Sequence, residues 1–463
     1  RAYVGSQDFF DTAYNGSVDG VRSLRSYGSV LKPFLYALSF DEKIIIPESL
    51  MKDIPTYYGS FSPFNADMKF SGVVRAKNAL IRSLNVPAVR LLYTFGQYKF
   101  YLFLEEAGLS NLFRNPDDYG LTIILGGAEA SLWDIAKLYR GIGNMGDFSG
   151  IYVLEQDSLK KENRLISQGA SYLTLDILRD VNRPEIEYYW NRFSNQYPIA
   201  WKTGTSYGFR DAWACGVTPE WTIVVWLGNF TGKGNPSLGG ASTAGPLLFE
   251  IFNALKKNGE WFEKPELYLE PVTICSKTGY CATDICPETS ISYMPRNYRS
   301  LIPCPYHKTL FLNNAATEQV CSQCWQHGDI KEVVKLVYPP EVIQYLKILG
   351  QPFFSVPPHR KDCPTIGSFN PIDLVYPTNG STLFLPKGIS GQFEKIVMRA
   401  AHSNYQSEIY WYIDGVFIGS TIDNNSANRH TIALSMAEGK HSLTIVDDSG
   451  YKKSIEFNIL VSE

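Results

Sequence analysis

Three short stretches carry residue types that can do chemistry together. In "RSYGSVLKPF", Ser29 stands three residues before Lys32, and Pro33 follows the lysine at once. A serine hydroxyl is a nucleophile only when a neighbour takes its proton, and a lysine at i+3 lies on the same helical face within reach. Proline is tolerated near a helix start but not inside a helix, which predicts Ser29 in the first turn. There its N–H is open to an oxyanion, and the positive end of the helix favours both a neutral lysine and an alkoxide. Taken alone, the tetrapeptide reads first as a helix cap. In "RSLNVPAV", Ser83 and Asn85 are one residue apart, with Pro87 just after. Such a turn can aim a hydroxyl that relays a proton and an amide that holds a carbonyl or a lysine into one cleft, although alone it reads as a turn or cap. In "WKTGTSYG", Lys202, Thr203, Gly204 and Thr205 lie on a predicted strand. Gly204 lets a substrate backbone approach, and the threonine hydroxyls can donate to a carboxylate. The bland alternative is an edge strand with a surface lysine.

Histidine takes no part. All six, His307, His327, His359, His402, His430 and His441, follow the region that holds these stretches, so a Ser-His-Asp site there is excluded by inventory. Lys32 remains as the base for Ser29.

The elements that must position these residues are legible as patterns. "PFLYALSF", "AKNALIRSLNVPAVRLLYTF" and "SLWDIAKLYRGIG" carry apolar residues at helical spacing. "AWKTGTSYGFRDAWACGVTPEWTIVVWLGNF" is broken by "SYG" and "TPE" into three predicted strands of an antiparallel meander. Residues 1–257 therefore read as an α+β domain of helices packed on an antiparallel sheet. Residues 258–370 turn to cysteine and proline, with a proline-rich, partly extended connector from Tyr338 to Pro377. Residues 371–463 alternate as strands do. "EIYWYIDGVFIGST" places Asp414-Gly415 as a type I′ hairpin turn; Leu443 and Ile445 share one face, and Ile455, Phe457 and Ile459 share another. That predicts a small β-sandwich, immunoglobulin-like, in which about half of Tyr410, Trp411, Tyr412 and Phe417 are core and the rest are either ordinary surface residues or contacts for a glycan or protein partner.

The chain has 463 residues, 44% of them hydrophobic, enough for several buried cores. Its 43 Lys+Arg against 46 Asp+Glu leave no electrostatic footprint for a nucleic acid. No apolar run approaches the ~18 residues needed to span a bilayer. Since the chain opens on Arg1, the expectation is of a portion whose targeting and anchoring segments lie outside it. Cys215 stands alone, while Cys275, Cys281, Cys286, Cys304, Cys321, Cys324 and Cys363 crowd together. Such a cluster reads as disulfides in an oxidising compartment or a metal site in a reducing one, and Cys304-x-x-His307 and Cys321-x-x-Cys324 have the spacing of zinc-ligand pairs.

Ser-x-x-Lys, a serine-containing triplet and Lys-Thr-Gly in this order recur in penicillin-binding proteins and β-lactamases. With "GSVLKPFLYAL", "DIPTYYGSFSPFNADMKFSGVV", "SLNVPAVRLL", "IILGGAEASL" and "WKTGTSYGFRDAWACGVTP" beside them, the first 255 or so residues resemble the transpeptidase portion of class A penicillin-binding proteins, most closely the 1C subfamily. The cysteine region and the terminal sandwich resemble that subfamily's connector and closing domain. Tyr27 departs from the pattern, since many relatives have proline there, and is expected to alter the turn rather than the chemistry. The membrane anchor and glycosyltransferase domain with which such proteins begin are not in this chain.

The resemblance implies a D,D-transpeptidase acting on peptidoglycan stem peptides and glycan strands on the periplasmic face of the bacterial inner membrane, acylated by β-lactams. Ser29 is implied as nucleophile, Lys32 as base, Ser83 as relay to the leaving D-alanine helped by Lys202, and Asn85 as the group orienting Lys32 and the substrate amide. Thr203 and Thr205 are implied to hold the terminal carboxylate beside Gly204, and the N–H groups of Ser29 and Thr205 to form the oxyanion hole. No cofactor or metal is implied, disulfides become the default for the cysteine cluster, and Cys215 is expected as a core thiol. The membrane is implied only through a segment outside the chain. A β-lactamase, a D,D-carboxypeptidase and a non-catalytic scaffold with the sandwich as interaction module remain as alternatives; acylation separates the last.

Overall fold

A computed structural model describes residues 2–59, 61–150, 163–184, 197–255, 259–324, 330–363, 369–386, 394–404, 406–422 and 430–461. The chain forms two compact units, one of Arg1–Met51, Arg75–Cys281 and Thr289–Pro303, the other of Lys52–Val74, Ala282–Glu288 and Cys304–Glu463. The expected boundary at 257/258 and His327 lie outside the described residues. Packing cuts the chain differently from the composition: 258–370 is shared between the units, and 52–74 joins the second.

In the first unit, α1 (Lys32–Asp41) is the central helix. Lys32 through Phe40 are all buried, as expected of a helix apolar almost all round. The helical pattern of residues 76–95 resolves into α2 (Ala76–Ile81) and α3 (Asn85–Phe95), parted at Ser83-Leu84. Helix α4 (Gln97–Glu106) follows. Helix α5 (Leu132–Gly143) starts on an N-cap serine: Ser131 Oγ accepts from Asp134 N–H at 3.1 Å and donates to Asp134 Oδ2 at 2.9 Å. Helix α6 spans Gln168–Arg179. The predicted meander is present as β1 (Ala200–Thr205), β2 (Asp211–Val217) and β3 (Thr222–Gly228), antiparallel in the order β1-β2-β3. Every residue of β2 is buried. On one side α7 (Gly245–Ala254) packs Phe249 edge-on against Trp201, ring centres 5.0 Å apart; on the other, Gly143 of α5 lies against Val217. The hairpin β4–β5 (Leu269–Cys275 and Thr289–Pro295) is pinned by Lys43, a buried lysine whose Nζ donates to Glu270 Oε1 at 2.7 Å and to the carbonyls of Asn297 and Arg299 at 3.1 and 2.6 Å.

Past Cys304 the second unit holds the hairpin β6–β7 (His307–Leu312 and Lys331–Leu336). The connector expected to be partly extended from Tyr338 holds a helix, α8 (Pro340–Ile348). The correction has a local reason: Pro340 takes the first helical position, Glu341 the first turn, and Val342, Ile343 and Leu346 form a buried stripe. Ile54, Val342 and Leu346 share a small core.

The alternating C-terminal segment forms two sheets. One has the order β8-β10-β13 (Ile372–Tyr376, Ile396–His402, Thr431–Leu434). The other has the order β9-β15-β14-β11-β12 (Thr382–Leu385, Lys452–Val461, Gly439–Asp447, Glu408–Ile413, Val416–Ile422). Strands β9 and β15 run parallel, and the other pairings are antiparallel. Met398, Ala400, Trp411, Leu443, Ile445, Ile455, Phe457 and Ile459 from both sheets converge on one core. Asp414 and Gly415 have φ of +50° and +80°, the backbone that a type I′ turn requires. Of the four aromatics, Trp411 is core, Tyr410 and Tyr412 are half-buried, and Phe417 is exposed. Among the described residues no helix is long and apolar enough to cross a membrane.

Candidate active site

The turn before α1 is set by Gly28. Its φ is +56°, and a Cβ there would lie 2.6 Å from the carbonyl oxygen and 2.8 Å from the nitrogen of Thr205 at the end of β1. Glycine is therefore required twice, by conformation and by close approach. Ser29 follows, half-buried, and its carbonyl accepts the Lys32 N–H at 3.3 Å. Because Lys32 and Pro33 open the helix, Ser29 stands one turn ahead of it rather than inside its first turn. Tyr27 is fully buried and donates from its hydroxyl to the carbonyl of Ile123 at 2.7 Å. Its own carbonyl accepts from Val30 N–H at 3.3 Å, so it fixes the turn by side chain where proline would fix it by ring.

Lys32 lies wholly inside the protein and donates from Nζ to Ser83 O and to Asn85 Oδ1, both at 2.7 Å. Lys202, also buried, donates to Ser83 Oγ and to the carbonyl of Thr203, again at 2.7 Å. Ser83 thus meets one lysine with its carbonyl and the other with its hydroxyl. Its backbone is at φ +55°, in the left-handed region. Ser83 N–H bonds to Leu80 O at 3.0 Å and Leu84 N–H to Ala79 O at 2.9 Å, the two bonds of a Schellman motif that ends α2. Position 83 is where that motif usually has glycine, so a serine there carries strain that the helix end itself does not call for.

Two buried ammonium groups around one serine cannot both stay charged cheaply. Burial, and then repulsion from Lys202, holds Lys32 well below the ordinary lysine value. Burial lowers Lys202 to about 7. A lysine that burial and a neighbouring charge make easier to deprotonate therefore sits one turn after Ser29, and a second, lowered by burial, sits against Ser83.

On β1, alternation puts Lys202 and Gly204 on the face turned to the serine turn, where a Cβ on Gly204 would come within 2.4 Å of Tyr27 O. Thr203 faces Gly240 on the opposite side. Thr205 is exposed at the strand's end, and its Oγ1 accepts from Gly240 N–H at 3.1 Å. Lys32, Ser83, Asn85 and Lys202 are brought into one hydrogen-bonded set; the Thr203 side chain is turned away from it.

The family described as penicillin binding protein transpeptidase domain matches residues 2–252, and that described as Penicillin-Binding Protein C-terminus Family matches 367–457. The chain belongs to the penicillin-binding protein transpeptidase family. It is 41% identical over 257 residues to penicillin-binding protein 1C of Escherichia coli (strain K12), covering 55% of this chain and 33% of that protein. It is 28% identical over 255 residues to penicillin-binding protein 1A of Clostridium acetobutylicum, covering 50% and 31%. The chain spans about a third of the length of these curated relatives. Penicillin-binding protein 1A from Haemophilus influenzae has a crystal structure that superposes with a TM-score of 0.51 at 18% identity, over 62% of this chain and 51% of that one. That likeness speaks for the α+β transpeptidase fold.

Three groups around the transpeptidase site were not singled out as site residues by the motifs. Tyr139 on α5 is buried and donates to Val30 O at 2.7 Å, bracing the turn that carries Ser29. Cys215, the expected core thiol, is buried and pairs in register with Lys202. Gly240 donates to Thr205; the doubled glycine of "GGAST" was a legible signal for it. Tyr139 and Cys215 gave none, because each sits in a strongly apolar pattern that any core satisfies.

Proposed function

We propose that this chain is the D,D-transpeptidase portion of a peptidoglycan-crosslinking enzyme that works through a serine acyl-enzyme. The observation that carries the reading is the set in which a depressed-pKa lysine three residues after Ser29 is held by Ser83 and Asn85, while a second lysine holds the Ser83 hydroxyl. Ser29 Oγ attacks the carbonyl of a D-alanyl-D-alanine bond and gives its proton to neutral Lys32. The tetrahedral oxyanion is met by the N–H groups of Ser29 and Thr205, donors of a kind worth about 3 kcal/mol each. Collapse breaks the peptide bond, the proton passes through Ser83 with Lys202 behind it to the departing D-alanine, and an ester on Ser29 remains. The amine of a second stem peptide attacks that ester, restoring the serine and forming the crosslink.

Asn85 orients Lys32 and the substrate amide. Thr205 receives the terminal carboxylate at the open end of β1, with Gly204 leaving room for the peptide backbone. β-Lactams acylate the same serine. The setting is the periplasmic face of the inner membrane. We read residues 371–463 as an immunoglobulin-like domain, with the half-exposed Tyr412 and exposed Phe417, rings 5.6 Å apart, as the contact for a protein or glycan partner.

The test is incubation with a fluorescent penicillin and localisation of the adduct by mass spectrometry. A stoichiometric, slowly released adduct on Ser29, absent in a folded Ser29→Ala variant, is expected. Labelling that survives the substitution removes Ser29 as nucleophile, rapid turnover indicates a β-lactamase, and a folded protein without adduct indicates a scaffold.

A further inference from the structure

Four ligand-type side chains meet in the second unit, none of them a residue of the proposed chemistry. Cys321, Cys324, His359 and Cys363 bring one ligand atom each within 4.8 Å of one another. Cys321 Sγ lies 3.6 Å from Cys363 Sγ and 3.9 Å from Cys324 Sγ, and Cys324 Sγ lies 3.8 Å from His359 Nε2. Both sulfur separations are far longer than the roughly 2.05 Å of a disulfide bond. A tetrahedral zinc ion, with Zn–S of about 2.3 Å and Zn–N of about 2.0 Å, spaces its ligands roughly 3.8 Å apart for two sulfurs and roughly 3.6 Å for sulfur and nitrogen. The observed separations match that tetrahedron.

We propose that Cys321, Cys324, His359 and Cys363 form a structural zinc site of three cysteines and one histidine. Three thiolates and an imidazole select a soft, four-coordinate divalent ion and leave no open position for catalysis. On binding, each cysteine gives up its thiol proton to solvent and the imidazole stays neutral. The backbone holds the ligands together. Cys324 N–H bonds to Cys321 O at 3.0 Å, closing the Cys-x-x-Cys turn, and Cys321 N–H donates to Cys324 Sγ at 3.2 Å. The two ligand-bearing segments are laced side by side, with Gln319 N–H on Pro358 O at 2.8 Å and Arg360 N–H on Gln319 O at 3.0 Å. Arg360 also donates to Cys324 O at 3.2 Å, setting a cation beside a site that would carry one net negative charge.

The surroundings explain why a staple is placed there. Around the β6–β7 hairpin the fully buried apolar residues of the local cluster are Leu310, Leu312 and Val337, a core too small to hold a proline-rich segment by burial alone. A metal joining Cys321-x-x-Cys324 to His359 and Cys363 closes the intervening chain into a loop.

The experiment is metal analysis of the full chain purified without reductant or chelator. The chain has further cysteines and histidines that could take up metal, so zinc is read as a difference between variants. Cys321→Ser with Cys324→Ser should carry one zinc equivalent fewer than the wild type, and His359→Cys, which leaves a set of four thiolates, should keep it. Equal zinc in the wild type and the double variant overturns the proposal, as does a disulfide linking any two of these cysteines in an unreduced digest. If the double variant does not fold, chelation of the wild type decides: Cys321, Cys324 and Cys363 should then become open to alkylation, and unchanged alkylation at these three overturns the site.

Discussion

Ser83 combines a strained backbone with contacts to two lysines, and the combination can be taken apart by substitution. Ser83→Gly relieves the left-handed strain while keeping the end of α2, so its Tm should equal or exceed the wild type's, by the equivalent of up to ~1 kcal/mol. Ser83→Ala keeps the strain. Both lose the hydroxyl that Lys202 holds and should slow aminolysis of the acyl-enzyme by about 10²–10⁴, the range for a lost proton-transfer group. A full rate in Ser83→Gly would remove the relay. The lysines add a pH signature. Lys202 titrates at about 7 when folded and near its ordinary ~10.4 when unfolded. Between those values the unfolded chain holds a proton that the folded chain lacks, so stability should fall as pH drops from about 10 to 7. Lys202→Met removes that linkage: its Tm relative to the wild type should become steadily more favourable over the same interval, and a constant difference would contradict the low folded value. Acylation of Ser29 should persist at neutral pH, where an ordinary lysine would be charged, and fail in acid as Lys32 is protonated. The motif residues were legible because their types are improbable together. The left-handed serine, the thiol opposite Lys202 and the outward turn of Thr203 depend on backbone angle and register, which residue type does not encode.

At the scale of elements, hydrophobic period and turn chemistry carried the reading well where the chain is regular. The meander and the Asp414-Gly415 hairpin follow from alternation and from residues that tolerate positive φ. Helix α8 lies in the stretch whose prolines suggest an extended connector. Proline at the first helical position, followed by a glutamate and a buried stripe, is instead a start signal. Two contacts at this scale invite measurement. Gly28→Ala forces a Cβ into the Thr205 backbone and should cut penicillin acylation steeply while the C-terminal sandwich melts unchanged. Lys43→Met deletes three hydrogen bonds to β4 and the chain after β5, and should destabilise the first unit by about 3 kcal/mol in denaturant unfolding, the range for breaking a buried ion pair. A change below ~0.5 kcal/mol would mean the hairpin holds by packing alone.

For the molecule as a whole, composition separated an α+β region, a cysteine- and proline-rich stretch and a terminal β region, but it could not see which pieces pack together. The sandwich has its own core from both sheets, so residues 369–463 expressed alone should give a single cooperative unfolding transition; a non-cooperative melt would show that the rest of its unit is needed. The remainder of that unit is different. Ile54 is contributed from far upstream, from a stretch flanked on both sides by first-unit sequence, to pack with Val342 and Leu346 on α8. On a ribosome that emits residues in order, this small core stays unfinished until nearly three hundred further residues have appeared. No single cut in the gene frees either unit intact, so recombination that exchanges C-terminal modules between such proteins would have to carry residues 52–74 along or leave α8 without its partner.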